Sequence, residues 1–460
     1  MEAPNVILIT VDCLRADHLG CYGYNRDTSP NIDSLASRGA KFQEVISNGG
    51  NTASAFPSIM ASALPPLETA EEKEIIQRSA TLAEALESAG YQTAGFHSNP
   101  LLTRFDGYGK GFQMFDDSFR QFSPKGARLW IRRMPKFRDS LMSKALSKAS
   151  LMLKPISSRV LARPIITAEE ITGKAVAWLE AHKDKFFLWL HYMDIHGPYV
   201  PAQRYLSLFC DRSVSQRWMK IVYRSMSRTP DKLSPSDIET LVNVYDANIR
   251  YTDDSIGLLL DKLGSHLANT FVILTADHGE ELGEHGNFGH HSLYDGVLHV
   301  PLIINGPGIK GGTLVKQQVS LINLAPTITG LAGINKPRSF LGRSLFPLMK
   351  KGTETMEHTI STRVDARSAQ RDISYRAAGK KYIRTESLAG EEPVLEEEVY
   401  DLRNDPGEMR NLHGTDIDEV RRFELEVKDK LSQFKQLKIE EKTAYEKREI
   451  KAQFKRLRRL

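Results

Sequence analysis

Cysteine is scarce in this chain, and its three copies, Cys13, Cys21 and Cys210, are an odd number with no Cys-x-x-Cys spacing. That scarcity excludes a disulfide framework and a zinc knuckle, and it leaves reduced thiols as the expectation. Long apolar runs are missing as well, since nothing approaches the roughly 18 consecutive apolar residues of a membrane-spanning helix. The opening MEAPNVILITVD has no basic stretch ahead of an apolar one and does not read as a secretion signal, so the expected setting is cytoplasmic. A large excess of one charge is also lacking. Lys and Arg number 62 against 57 Asp and Glu, a formal net charge of +5, and that balance argues against a nucleic-acid binder. No internal repeat is visible.

What is present is material for a large core: 460 residues, 41% of them hydrophobic. NVILITVD (Asn5 to Asp12) is a short apolar, β-branched run ending in an acid, which suits a buried parallel strand. Three later stretches pair an amphipathic helix with such a strand: TLAEALESAG with YQTAGFHSN, AVAWLEAHKD with FFLWLHYMD, and DSIGLLLDKLG with TFVILTADHGE. The alternation predicts an α/β fold, a mostly parallel sheet sandwiched by helices, with ligands beyond the carboxyl ends of the strands. At those ends fall Asp12, Asn99, His191, Asp194, His196, Asp277 and His278.

After VPLIINGPG (Val300 to Gly308) the pattern changes to short strands and turns, RDISYRAAGKKYIRT and EEEVYDLRNDPGE, as in a small antiparallel α+β subdomain. From about Asp416 the chain is a charge-dense helical segment, open to reading as a coiled-coil arm, a membrane contact or a disordered end. The expected division is a catalytic domain over 3–345, the subdomain over 346–412 and the tail over 413–460. Between Arg120 and Arg163 basic residues interleave with Trp130, Phe137 and Leu141, and Asp139 is the single acid. This insertion suits peripheral contact with an anionic membrane or an anionic substrate, and equally a solvated helical cover.

The stretch TADHGEELGEHGNFGHHSLYDGVLHVP carries the most chemistry. Asp277 and His278 leave a strand together and offer an oxygen and a nitrogen to a divalent metal, and His285, His290 and His291 follow in the same loop. Asp12 is either a further ligand or a cap of the turn it precedes, and His196 stands before a Gly-Pro turn at another strand end.

Together with YDANIRYTDDSIGLLLDKL, LYDGVLHVPLII and EEVYDLRNDPGEMRNL, these stretches resemble the sulfatase family of the alkaline-phosphatase-like superfamily. The resemblance implies that family's α/β/α fold and its ester hydrolysis at a metal. It also implies a nucleophile in a Cys-x-Pro-Ser-Arg or Ser-x-Pro-Ser-Arg motif, which this chain lacks. In GGNTASAFPSIMASALPP, matching Pro57-Ser58 to that motif puts Ala55 at the nucleophile and implies an inactive protein, whereas counting back from Ser62–Pro65 lands on Thr52. An alcohol at a helix N-terminus is favourably placed to meet a tetrahedral anion, and a metal would ease its deprotonation. The same position suits a plain N-cap, with Ser54 as an alternative cap.

Threonine cannot become formylglycine, so the resemblance shifts toward the phosphatase, phosphodiesterase and lipoteichoic-acid-synthase branches, which pass through a phosphothreonine. Cys13 stands where sulfatases often carry a second aspartate. The implied metal ligands are Asp12, Thr52, Asp277 and His278, a set leaning toward Mn²⁺ or Zn²⁺ over Ca²⁺, with Asp194 and His191 the candidates for a second metal. His196 matches the substrate-binding histidine, and His291 matches the family's lysine as donor to the leaving group, with His290 the close alternative. The expected activity is hydrolysis of sulfate or phosphate esters of a sugar, lipid or small molecule. Its rivals are a phosphoglycerol- or phospho-sugar-type transferase at the inner membrane face and a non-catalytic anion- or glycan-binding protein.

Overall fold

The computed structural model describes residues 3–118, 166–182, 184–211, 214–351, 358–365, 368–389 and 394–457, and the basic stretch 120–163 lies outside them. In chain order the first ten strands are β1 (Asn5–Val11), β2 (Ala40–Ile46), β3 (Gln92–His97), β4 (Met114–Asp116), β5 (Phe186–Tyr192), β6 (Thr270–Ala276), β7 (Glu281–Leu282), β8 (Phe288–Gly289), β9 (Leu302–Asn305) and β10 (Thr313–Ser320). Eight of them form one sheet in the order β10-β2-β9-β6-β1-β5-β3-β4, and β7 and β8 form a separate ribbon. Every pairing in the large sheet is parallel except those of β9, which runs against β2 and β6. Between β6 and β9 lie the β7–β8 ribbon and only a one-turn helix, Asp295–Leu298, too short for a crossover. The chain leaves the top of β6, builds a loop there, and must descend antiparallel. The whole segment 277–301 is thereby held at the carboxyl end of the sheet.

The strands β1, β5 and β6 are buried at every residue, as expected when helices cover both faces. The helices pack in two groups. One surrounds Pro235–Leu263 with Pro30–Ser37 and Ala168–Ala181, and the other surrounds Thr52–Ala61 with Glu71–Arg78, Leu82–Ser88 and Leu324–Leu331. The three expected helix-then-strand units are present as Leu82–Ser88 before β3, Ala168–Ala181 before β5 and Pro235–Leu263 before β6. Val11 is in register with both Tyr192 and Ala276, so the chain leaves β1, β5 and β6 at one height.

The C-terminal part is an antiparallel meander, β11 (Thr359–Asp365), β12 (Gln370–Ala377), β13 (Lys380–Ser387) and β14 (Val394–Asp401). The charge-dense stretch is the helix Asp418–Leu457. Its Val420, Phe423, Val427, Leu431 and Phe434 recur at three- and four-residue spacing and are buried against Ile373, Tyr375, Tyr382 and Val399 of the meander and against Leu67. No described helix is long and apolar enough to cross a membrane.

The two sheets meet beside the helix Thr52–Ala61. Thr362 N donates to Asn48 O, and Gly50 N donates to Thr362 O, both at 3.0 Å. Ser361 Oγ donates to Ser47 O at 2.5 Å. The Asn48 amide donates to Ile360 O at 2.9 Å and accepts from Ser320 Oγ at 2.6 Å and Ile322 N at 2.9 Å. A second junction is the fully buried Lys381, whose Nζ lies 2.5 Å from Asp295 Oδ1, 2.6 Å from Glu408 Oε1 and 3.1 Å from Leu293 O.

Candidate active site at the carboxyl ends of the strands

The helix Thr52–Ala61 begins at the sheet's carboxyl end, and its cap explains what Thr52 is free to do. Asn51 is the N-cap: its side chain accepts from Ser54 N at 2.9 Å. Neither Thr52 nor Ser54 caps the helix, which removes the plain-cap reading of Thr52. The helix ends at Ser62, in the left-handed region at φ 47°. Ala55, the other position considered, is fully buried and offers no reactive atom. Thr52 Oγ1 stands 3.4 Å from His278 Nε2 and 3.5 Å from Asp12 Oδ2.

Around that hydroxyl the strand ends converge. Asp12 follows β1, Asn99 follows β3, His191 lies in β5, and Asp277 and His278 follow β6, all of them buried. Asn99 Nδ2 donates to Asp12 Oδ2 at 3.0 Å. His191 Nε2 lies 3.4 Å from the same oxygen, and His278 Nε2 lies 3.5 Å from Asp277 Oδ2 and 3.7 Å from Asp12 Oδ1. His278 Nδ1 faces the Gly279 carbonyl at 2.9 Å, so that nitrogen carries the proton and Nε2 presents its lone pair to the group. His191 Nδ1 is likewise committed, 3.0 Å from Thr10 Oγ1.

The electrostatics separate the two carboxylates. Burial raises Asp12, but the charges of His196, His278 and His191 and the hydrogen bond of His191 outweigh it and hold this carboxyl well below its usual range. Burial, followed by the Asp12 charge, pushes Asp277 up to about 7. Burial keeps His278 below its ordinary value against the pull of Asp12. Asp277 Oδ2 has no hydrogen-bond partner. A buried carboxylate oxygen left unpaired beside an imidazole lone pair is the donor set of a divalent metal, so the residues present fit such an ion.

A second group adjoins the first through Cys13, whose Sγ donates to Asp12 Oδ1 at 3.1 Å. The ring nitrogens of His196 and His290 and the Cys13 sulfur lie within 4.8 Å of one another. Burial lowers His196, but Asp12 and Glu280 overcome it and the imidazole stands above its ordinary value. Glu280 itself is held down, despite burial, by His290 and His196.

The structure therefore brings Asp12, Thr52, Asp277, His278, His196 and His290 together. His291, the first choice for the leaving-group donor, is exposed, its ring 5.6 Å from that of His290, on the wall of a cavity of about 310 Å³ shared with Arg363, Asp372 and Glu398. His290, the close alternative, has its Nδ1 3.8 Å from Cys13 Sγ and 3.7 Å from Glu280 Oε1. Asp194, named with His191 for a second metal, also stays apart, buried beside the Ala168 backbone and raised by that burial to about 7. His285 stacks on Tyr294 away from the group. Glu280 was missed, because an acid in DHGEELGEHG reads as solvated and its 4% exposure is a property of the fold.

Residues 4–334 match the sulfatase family model, and residues 283–437 match the model described as N-sulphoglucosamine sulphohydrolase, C-terminal. An arylsulfatase of Clostridium perfringens is 24% identical over 461 residues, covering 89% of this chain and 90% of the relative. The iduronate 2-sulfatase of Homo sapiens is 25% identical over 419 residues, covering 78% and 74%. Among solved structures, one determined in complex with its substrate D-glucosamine-2-N,6-O-disulfate superposes with a TM-score of 0.70 at 18% identity, covering 95% of this chain and 98% of that one. The phosphonate monoester hydrolase of Agrobacterium radiobacter superposes with a TM-score of 0.68 at 19% identity, covering 94% and 95%.

Proposed function

The chain belongs to the sulfatase family, a hydrolase of ester bonds by that membership, and we propose that it is a divalent-metal-dependent hydrolase of anionic esters in which Thr52 is the nucleophile. The observation that carries this reading is the Thr52 hydroxyl, relieved of capping by Asn51 and standing 3.4 Å from His278 Nε2 and 3.5 Å from Asp12 Oδ2. Asp12, Thr52, Asp277 and His278 would hold the ion; their side chains fall in two overlapping groups, Asp12 with Cys13 and His278, and Asp12 with His191 and Asp277. When bound, it supplies Lewis acidity that lowers the hydroxyl's pKa and polarises the ester oxygens.

The chain's own residues do the rest. The N-terminus of the helix Thr52–Ala61 presents backbone N–H groups to the incoming anion. Thr52 Oγ1 attacks phosphorus or sulfur, the ester oxygen departs, and the hydroxyl proton passes to the carboxylate side of the pocket, where Asp277, raised by its burial, is the stronger base. On the Cys13 side His196, raised above its ordinary value, neutralises charge on the transferred group, and His290 faces the departing oxygen. Water then cleaves the Thr52 ester and restores the hydroxyl.

A threonine in this place favours phosphorus over sulfur, and the fold is shared with a phosphonate monoester hydrolase as well as with sulfatases. The substrate bound in one similar structure, a sulfated glucosamine, supports a sugar ester as the class to try first. The basic residues between Arg120 and Arg163 support a peripheral contact with an anionic membrane at the cytoplasmic face.

The test is turnover of p-nitrophenyl sulfate, phosphate and a phosphonate monoester by the wild type and Thr52→Ala, after metal removal and readdition of Mn²⁺, Zn²⁺ or Ca²⁺. Phosphorus-ester turnover that vanishes in Thr52→Ala, together with a mass shift on the Thr52 peptide after rapid quenching, is the expected result. Turnover that survives the substitution overturns the nucleophile.

A further inference from the structure

The meander turns one face toward the loop that carries His290 and His291, and strand register decides which side chains stand on it. Arg363 of β11 is opposite Asp372 of β12, Asp372 is opposite Thr385 of β13, and Thr385 is opposite Glu396 of β14. Residues paired across a sheet project to the same side, so these four form one row, and Glu398 joins them two positions along β14. All five line the cavity of about 310 Å³ that His291 also lines. That volume is at the lower end of the roughly 300–1,000 Å³ of small-molecule sites and suits a single ring. Gly50, two residues before Thr52, ties the cavity to the nucleophile: a Cβ there would stand 2.8 Å from Ser292 O and 3.5 Å from Arg363 Cβ, and both of those residues line the cavity.

The row is held in place before any ligand arrives. Asp372 is buried, and it accepts from Arg363 Nε at 2.7 Å through Oδ2 and from Thr385 Oγ1 at 2.9 Å through Oδ1. Glu398 is buried too, and its Oε2 accepts from the hydroxyls of Tyr294, at 2.8 Å, and Tyr400. Carboxylates fixed by their neighbours keep further lone pairs for the hydroxyl or ammonium donors of a ligand. The charge on the wall is one-sided. Among the described residues that line the cavity, Asp372, Glu396 and Glu398 are acids, and they face one guanidinium, Arg363, which is already engaged with Asp372. A ligand bearing an anionic group of its own meets like charge there, and like-charge juxtaposition is how a site rejects a competitor.

We propose that this cavity receives the alcohol portion of the ester, that it takes one polyhydroxylated ring, neutral or amino-bearing, and that Asp372, Glu396 and Glu398 exclude a ring carrying a second anionic group. The proposal rests on the reading of the Thr52 pocket as the ester-cleaving centre, and it names the leaving group that centre accepts. The departing oxygen lies toward His290, and the ring lies beyond it, between His291 and the row. The three acids are specificity residues: they act on which ester binds.

The experiment measures inhibition of p-nitrophenyl ester turnover by glucose, glucosamine and glucuronate, and titrates the same three sugars into the metal-loaded chain by calorimetry. Glucose and glucuronate differ by one carboxylate, so their ratio isolates the charge of the wall. In the wild type glucose and glucosamine are expected to bind at least about tenfold more tightly than glucuronate. Glu396→Gln, Glu398→Gln and Asp372→Asn narrow that gap several-fold each. Glu396 is exposed, so its variant folds whatever becomes of the buried pair, and circular dichroism checks all three. Equal binding of the three sugars, binding of none of them, or a gap unchanged in every variant overturns the subsite and leaves the Thr52 reading standing. Turnover that survives Thr52→Ala overturns the nucleophile instead, while the calorimetric ratios still decide the cavity.

Discussion

The Asn51 side chain accepts the backbone N–H of Ser54 at 2.9 Å, and that bond keeps the neighbouring Thr52 hydroxyl out of the helix cap. Asn51→Ala removes the acceptor, costs about 1 kcal/mol of stability, and lets Thr52 turn toward the bare N–H groups. The expected outcome is a kcat/KM at least about tenfold lower, a larger effect than that stability change alone explains. Asn51→Ser, which caps as well, restores both quantities. Unaltered kcat/KM in Asn51→Ala would refute the role assigned to the cap.

Asn48 ties the large sheet to the small one through three side-chain hydrogen bonds, with Ile360 O, Ser320 Oγ and Ile322 N. Asn48→Ala strands buried partners and is expected to cost roughly 2–4 kcal/mol in urea unfolding. Because Asn48 lies four residues before Thr52, kcat falls as well. A cost below about 0.5 kcal/mol would show that the junction is incidental.

Metal removal has a stability signature that does not depend on turnover. An ion bound only by the folded chain, present at a hundredfold excess over its Kd, stabilises by about 2.7 kcal/mol. Chelation therefore lowers Tm, and readdition restores it. In Asp277→Asn the difference shrinks, and the outcome against the expected site is an equal Tm response in variant and wild type.

Lys381 and Asp295 make a pH prediction. Burial raises Asp295, but the charges of Lys381 and Arg376 outweigh it and hold the carboxyl far below its usual value near 4. A carboxyl lowered by folding stabilises fully above its unfolded value, and that contribution is lost as pH falls from about 4 toward the folded value. The urea midpoint of the wild type drops across that acid window, and the drop is shallower in Asp295→Asn. Lys381→Met, which leaves the buried Glu408 without its cation and Asp295 with Arg376 alone, costs on the order of 3–5 kcal/mol at neutral pH. Parallel acid slopes in the wild type and Asp295→Asn would contradict this account.

His290 and His291 are adjacent, their rings 5.6 Å apart, with His290 half-buried and His291 exposed. His290→Ala is expected to lower kcat by about a hundredfold or more, with a folded protein by circular dichroism. His291→Ala leaves kcat within about tenfold and shows its effect in KM, because its side chain lies on the neighbouring cavity wall. The reverse ranking would restore His291 as the leaving-group donor.

The layered α/β architecture was legible because three helix-and-strand units carry clean periodicity, and because a strand buried on both faces reads as an unbroken apolar run. Asp12, Asp277 and His278 were legible for the same reason: the last apolar residue marks where the chain leaves the sheet. The reversal of β9 was not, since LIIN has the same composition whichever way it runs. Asn51 was passed over as the cap because Thr52 and Ser54 are equally good cap residues one and three positions later. The choice between His290 and His291 depends on a loop without period, where side-chain direction is decided by contacts hundreds of residues away. In the final helix the apolar positions from Val420 to Phe434 are visible as a stripe, but the sheet they cover is invisible without the fold.

The bond between Ser47 and Ser361 joins residues 314 positions apart. At about 5–20 residues per second of synthesis, the segment leading into Thr52 waits roughly a quarter of a minute to a minute for the strand that pins it. A nascent chain halted before β11 would carry Asp12, Thr52, Asp277 and His278 and still lack the clasp that aligns them. Competence in this protein is therefore acquired late, once β11 has been made and has folded back onto the segment that leads into Thr52.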